Sequence, residues 1–217
     1  MAKIHIIGVG PGSPDYVTPI ARKTVQKAKV VVGAERALNL FQNDIKGEKI
    51  TLTAKNFQEA VAYAIKQADK GLEVAFLSTG DPCFSGLLRP VLKIVGENAD
   101  VNVVPGISAI QACAARLKIC WDEADLISFH EGADFQKKKK LAESAKKGKP
   151  LIILPDPKAF TPSDIARFLI SEGAREETPV FICENLTLEE ERVFSSSLTE
   201  IMSRNFSSLC VMVVKPP

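Results

Sequence analysis

Three times before Ile110 this chain repeats one event: a short apolar run ends in glycine or proline, and a helix-like segment follows. The runs are Ile4 to Val9, ending in Gly8–Gly12 (GVGPG), Val74 to Leu77, ending in Ser78–Pro82 (STGDP), and Val101 to Val104, ending in Pro105–Ala109 (PGISA). A parallel strand buried on both faces loses its partners at its carboxyl end, where the next helix also begins with unpaired amides. Polar turn residues there meet solvent or a ligand. The stretch from Val74 to Gly86 therefore reads as the floor of a binding site. Gly80 lets a backbone or ligand come close, Pro82 fixes the turn, and Asp81 puts a carboxylate at the mouth. Taken singly, Gly-Asp-Pro reads more readily as a plain turn, and it is the similar punctuation at the two other strand ends that favours a site.

The remaining punctuation extends the alternation. Thr18 and Pro19 start a helix that runs to about Ala28, and Val30–Val32 form a strand closed by Gly33, with Glu35 and Arg36 just beyond. Asn56 caps a helix whose Phe57, Ala60, Val61, Ala64, Ile65 and Ala68 recur at helical spacing, and Gly71 ends it. A helix through Leu87 and Leu92 and another over Ile110–Leu117 flank the strand at Val101. Ser108 reads as the cap of the latter helix or as a ligand group. Further on, strands are expected at Leu126–Phe129 and Leu151–Leu154, and Thr161 with Pro162 starts a helix closed by Gly173. Val180–Cys183 and Arg192–Ser195 read as a hairpin, and Leu209–Val214 as a closing strand. The expectation is an α/β protein of two domains, 1–114 and 115–217, the first sheet mostly parallel and the second mixed.

Other classes are disfavoured. The five cysteines include no CxxC pair and the two histidines stand far apart, which argues for reduced thiols in a cytoplasmic protein and against a metal cluster. With a formal charge of +2, the lysines at 137–140 read as a solvated helix face rather than a nucleic-acid patch. The apolar run at the start is too short for a signal peptide or a membrane span. Pro11 has no amide hydrogen for a phosphate, and Ser13 stands where a dinucleotide loop needs glycine. His5 reads as packing in the first strand. His130, at a later strand end, is the best base candidate.

Four motifs in register carry a resemblance: GVGPGSPDYVT at 8–18, VVGAERAL at 31–38, STGDPCFSG at 78–86 and VPGISAIQ at 104–111. Together they resemble the tetrapyrrole methylases, two-domain methyltransferases that use S-adenosylmethionine. The stretches SFHEG at 128–132, LPDPKAFTPSDIA at 154–166 and ICENLTLEEERV at 182–193 resemble the corrin-pathway branch that methylates carbon 5 of cobalt-precorrin-7. That branch usually has HGR where this chain has His130, Glu131 and Gly132.

The resemblance implies a cofactor in the cleft between two domains, held at Ile7, Gly8, Gly80, Asp81, Phe84, Ser85, Ser108, Ala109 and Leu154. It implies that Gly10, Pro11 and Gly12 face the tetrapyrrole, with Arg36, Arg89 and Arg116 as candidates for its carboxylates. It further implies a homodimer, no metal, nucleic-acid or membrane partner, and a separate decarboxylating carbon-15 methyltransferase in the same pathway. The alternatives are another acceptor within the family (precorrin-6Y, uroporphyrinogen, ribosomal RNA or a diphthine precursor) and a corrinoid carrier without catalysis.

Overall fold

The computed structural model describes residues 4–96 and 99–215. The chain forms two compact units, Met1–Ser108 and Ala109–Pro217. The first contains β1 (Ile4–Gly8), α1 (Pro19–Lys27), β2 (Val30–Gly33), α2 (Glu35–Asn39), β3 (Glu48–Thr51), α3 (Phe57–Asp69), β4 (Val74–Ser78), α4 (Leu88–Val95) and β5 (Val101–Val104). Its five strands run in the order β3-β2-β4-β1-β5, and every pairing is parallel.

Side-chain alternation in these strands supplies two cores. Ile7, Val31 and Leu77 point to the face covered by α1 and α2, while Ile6, Val32 and Phe76 point to the face covered by α3 and α4. Each large side chain buried this way contributes about 1.5–3 kcal/mol. Thr18 caps α1 as expected, its Oγ1 accepting from the Ala21 amide at 3.2 Å, with Pro19 in the first turn.

Three local readings change. The edge strand β3 was not expected, because three of its four residues are exposed and no apolar run marks it. Asn56 stands at the start of α3 but makes no capping bond. Its amide instead accepts from the Thr53 amide at 2.7 Å and donates to the Thr51 carbonyl at 2.9 Å, closing the preceding loop. His5 is a bridge rather than packing, hydrogen-bonded to Glu73 at Nε2 and lying 3.0 Å from Asn102 at Nδ1.

The second unit contains α5 (Ala109–Leu117), β6 (Asp125–Ser128), α6 (Phe135–Lys146), β7 (Leu151–Leu154), α7 (Pro162–Ser171), β8 (Pro179–Glu184), β9 (Arg192–Ser197), α8 (Leu198–Ile201) and β10 (Cys210–Val214). A boundary at 114 divides α5, whereas the whole helix falls in the second unit, where it contacts β10 and buries Ile110, Cys113 and Ala114. The strand order is β6-β7-β10-β8-β9, with β6 and β7 parallel and the other pairings antiparallel. The expected hairpin is β8–β9. Thr161 and Asp164 form a capping box at the start of α7. Lysines 137–140 do lie on a helix, α6, capped by Asp134.

Candidate functional site

In the first unit the site is built where β1, β4 and β5 end. Past β1 the chain folds back on the segment past β4: the Val9 amide donates to the Ser78 carbonyl at 3.0 Å and the Gly80 amide to the Gly10 carbonyl at 2.8 Å. The turn after β5 meets both. A Cβ built on Gly106 would lie 2.4 Å from the Gly80 carbonyl oxygen and 2.7 Å from the Gly8 Cα. One built on Gly8 would lie 2.5 Å from the Gly106 nitrogen. Glycine is required here because three main chains converge, so of the two approaches the sequence suggests at these turns, backbone or ligand, the contacts at Gly8 and Gly106 are with backbone.

Asp81 fastens this junction. Its Oδ2 accepts from the Gly106 amide at 3.0 Å and its Oδ1 from the Cys83 amide at 2.8 Å. Both oxygens of the carboxylate are thus engaged by main chain, so Asp81 positions the turns and is not an open acid at the mouth. Ser78, buried at the end of β4, accepts from the Leu87 amide at 3.1 Å and closes the loop to α4. Within that loop Phe84 is half-buried and Ser85 holds a left-handed φ of 54°, a conformation uncommon outside glycine and characteristic of over-determined turns.

Arg36 reaches the same edge from the first turn of α2, its Nη2 donating to the Thr79 hydroxyl at 3.4 Å, and burial lowers its pKa from the ordinary value. Ile7, Gly8, Gly80, Asp81, Phe84, Ser85 and Ser108 therefore share one sheet edge. Gly10, Pro11 and Gly12 adjoin it and are buried in the chain. Arg89 is exposed in the first turn of α4. The edge offers main-chain groups, the hydroxyls of Thr79 and Ser85, and the cation of Arg36. Such a set is chemically suited to a polar molecule recognised by shape and hydrogen bonds, and the arginine to an anionic group.

The second unit has its own pair of strand ends, β6 and β7. The Phe129 amide donates to the Leu154 carbonyl at 2.9 Å, and His130 follows at the start of the loop. Burial pushes the His130 imidazole below its ordinary range, although part of the residue faces solvent, and Asp156 pulls the other way. Asp156 accepts from the Ala159 and Lys158 amides, each at 2.8 Å, and these bonds hold its carboxyl below the usual value. Two lysines of α6 lean toward these loops. Lys137 Nζ donates to the Gly132 carbonyl at 3.0 Å, and the Lys138 ammonium lies 4.6 Å from the centre of the Phe160 ring.

Ala109 opens α5 and Leu154 closes β7, so both belong to this second unit. Arg116 does too, and its guanidinium is ion-paired with Glu191 at 2.5 Å, a structural engagement that a rim cation awaiting substrate does not have. Reading the sequence also left Ser78, Gly106 and Lys137 without assigned roles. Ser78 and Gly106 had visible signals, a polar residue ending an apolar run and a glycine after Pro105. Lys137 had none, because a lysine run marks a helix face and not where one of its members reaches. Among the described residues no group of three or more His, Cys, Asp or Glu could hold a metal.

The model of the Tetrapyrrole (Corrin/Porphyrin) Methylases matches residues 3–202. The chain belongs to that family. This tetrapyrrole methylase is 43% identical over 211 residues, 97% of its length and 96% of the relative's, to a protein of Methanocaldococcus jannaschii described as a probable cobalt-precorrin-7 C(5)-methyltransferase. Among solved structures, a precorrin-6Y methylase of Archaeoglobus fulgidus superposes with a TM-score of 0.74 at 26% identity, over 99% of this chain and 98% of that one. A uroporphyrin-III C-methyltransferase of Thermus thermophilus, complexed with S-adenyl homocysteine, superposes with a TM-score of 0.80 at 22% identity, over 99% and 97%. The α/β fold with one parallel and one mixed sheet is that of this tetrapyrrole methylase's relatives.

Proposed function

We propose that this chain is a cytoplasmic, homodimeric S-adenosylmethionine-dependent C-methyltransferase of cobalamin biosynthesis, acting on carbon 5 of cobalt-precorrin-7. The observation that carries the reading is the 43% identity maintained over essentially the full length of both chains with the Methanocaldococcus protein. The cofactor supplies an activated methyl group on a sulfonium, so the chemistry needs alignment and exclusion of water more than proton transfer. The donor set of the first unit fits that task. Gly80, Ser85 and the Gly106–Ser108 turn would hold the cofactor through main chain and hydroxyls, with Ile7, Gly8 and Phe84 as apolar walls and Asp81 keeping the turns in register.

Arg36 and Arg89 would bind peripheral carboxylates of the tetrapyrrole, and the Gly10–Gly12 loop would face its ring. His130, whose neutral form burial favours, would accept a proton late in the reaction without being essential to it. A separate decarboxylating enzyme would methylate carbon 15. The test is product analysis after incubation with cobalt-precorrin-7 and methyl-labelled cofactor. One labelled methyl on carbon 5, with no carbon dioxide released, is the expected result. Two methyl increments, or carbon dioxide from a labelled acetate side chain, would overturn the assignment.

A further inference from the structure

The methyl-transfer reading makes no use of one buried pair of nucleophiles. Along β8 the side chains alternate, so Ile182 enters the core under α7 and α8 while Cys183 points to the opposite face of the sheet. That face is the one α5 covers with Ile110, Cys113 and Ala114. Cys113 and Cys183 are fully buried, and the Cys113 thiol donates to the Cys183 sulfur with 3.5 Å between the two Sγ atoms. They are 70 residues apart in the chain, so only the packing of α5 on the sheet brings them together.

We propose that Cys113 and Cys183 are a redox modification site, a dithiol that hydroperoxides convert to a disulfide within the native fold, with Cys183 as the attacking sulfur. The surroundings distinguish the two thiols. The hydrogen bond from Cys113 holds Cys183 below its ordinary value against the effect of burial, with help from the Arg116 guanidinium one helical turn beyond Cys113 and opposition from Glu191. Cys113, as the proton donor, is pushed up. Cys210, on the neighbouring strand, is raised to about 12, mainly by burial. Cys83 is exposed, yet partial desolvation and the Asp81 carboxylate raise it. Accessibility and thiolate character therefore favour different cysteines, and the thiolate is the nucleophile.

The Cys183 thiolate attacks one oxygen of the hydroperoxide. The O–O bond breaks, a sulfenic acid forms, and the leaving oxygen takes up a proton as an alcohol, or as water when the oxidant is hydrogen peroxide. The Cys113 sulfur then attacks the sulfenic sulfur, the S–S bond forms, and the sulfenic hydroxyl leaves with the Cys113 proton as water. Two electrons pass from the thiols to the peroxide. The sulfurs must close from 3.5 Å to about 2.05 Å, the length of a disulfide bond. The product joins α5, which begins at Ala109 directly after the Pro105–Ser108 turn, to β8 of the second sheet.

The test treats the reduced, folded, full-length protein with hydrogen peroxide, blocks remaining thiols with N-ethylmaleimide under denaturing conditions, and maps peptides by mass spectrometry. The expected product is a Cys113–Cys183 linkage, reversed by dithiothreitol and formed while the protein remains folded and before Cys83 or Cys120 is oxidised. In Cys113→Ser, whose hydroxyl can still donate to Cys183 but cannot form a disulfide, dimedone should trap a sulfenic acid on Cys183. Recovery of both Cys113 and Cys183 as blocked thiols while Cys83 or Cys120 is oxidised would overturn the proposal. So would a linkage that forms only after circular dichroism reports unfolding, or a Cys113→Ser protein with no adduct on Cys183.

Discussion

Gly106→Ala tests whether the glycines of the three strand ends serve main-chain convergence. No left-handed φ is involved at this position, so alanine meets no conformational penalty of its own. The penalty is steric. The new methyl would lie 2.4 Å from the Gly80 carbonyl oxygen and 2.7 Å from both the carbonyl carbon and the Cα of Gly8. Reaching even 3.0 Å requires the Gly80 carbonyl to retreat by 0.6 Å (3.0 minus 2.4), and the atoms in the way are backbone. That movement strains the Gly80–Gly10 hydrogen bond of 2.8 Å and the Asp81–Gly106 bond of 3.0 Å. Overpacking of this kind costs about 3 kcal/mol, the upper part of its usual range, which is about 150-fold in the folding equilibrium. Gly148→Ala is the control, because its φ is 69° with nothing within 4 Å. Its cost is conformational only, about 1–2 kcal/mol. Urea denaturation of the two variants and wild type measures the difference, and calorimetry with S-adenosylhomocysteine reports whether the site survives. If Gly106→Ala were no less stable than Gly148→Ala and bound the ligand normally, the convergence would not be what glycine is needed for.

Asp81→Asn should lower stability by about 1–3 kcal/mol, because an amide presents one acceptor where two backbone N–H groups need one each, and chemical denaturation will show it. His130→Ala should slow single-turnover methyl transfer by about tenfold or less, against the 100-fold or greater loss expected of an essential general base. His130 should titrate below its ordinary pKa of about 6.5 in proton NMR, and Asp156→Asn should lower it further by removing the opposing charge. The sign follows from the depressed value: the unfolded chain binds the His130 proton more readily, so this group's contribution to stability is present above the ordinary histidine pKa and is lost as pH falls through the folded one. Arg36→Ala should raise KM for the tetrapyrrole about tenfold, the loss of one charge-assisted contact. Arg116→Ala should leave KM unchanged and cost about 1 kcal/mol or less in stability, as expected of a partly exposed ion pair.

Much of this architecture is local and was therefore readable from the sequence alone. The period of apolar residues marks β1, β4 and α3, the Thr-Pro pairs mark the starts of α1 and α7, and each cap acts within four residues of its own position. The family motifs are local as well, which is why the three glycine-bearing turns stood out as a site. Other features were decided only by sheet order. With β1 placed between β4 and β5, the Asp81 carboxylate comes within reach of the Gly106 amide, 25 residues away. The same placement makes Gly8 and Gly106 points of backbone contact with each other and with the Gly80 carbonyl. Arg116 could not be distinguished from Arg36 until Glu191 was seen beside it, and β3 exists only because β2 offers an edge to pair with. Sequence patterns record what a residue does to its own backbone and its own face. Which distant groups satisfy a carboxylate, an arginine or a thiol depends on how the elements pack.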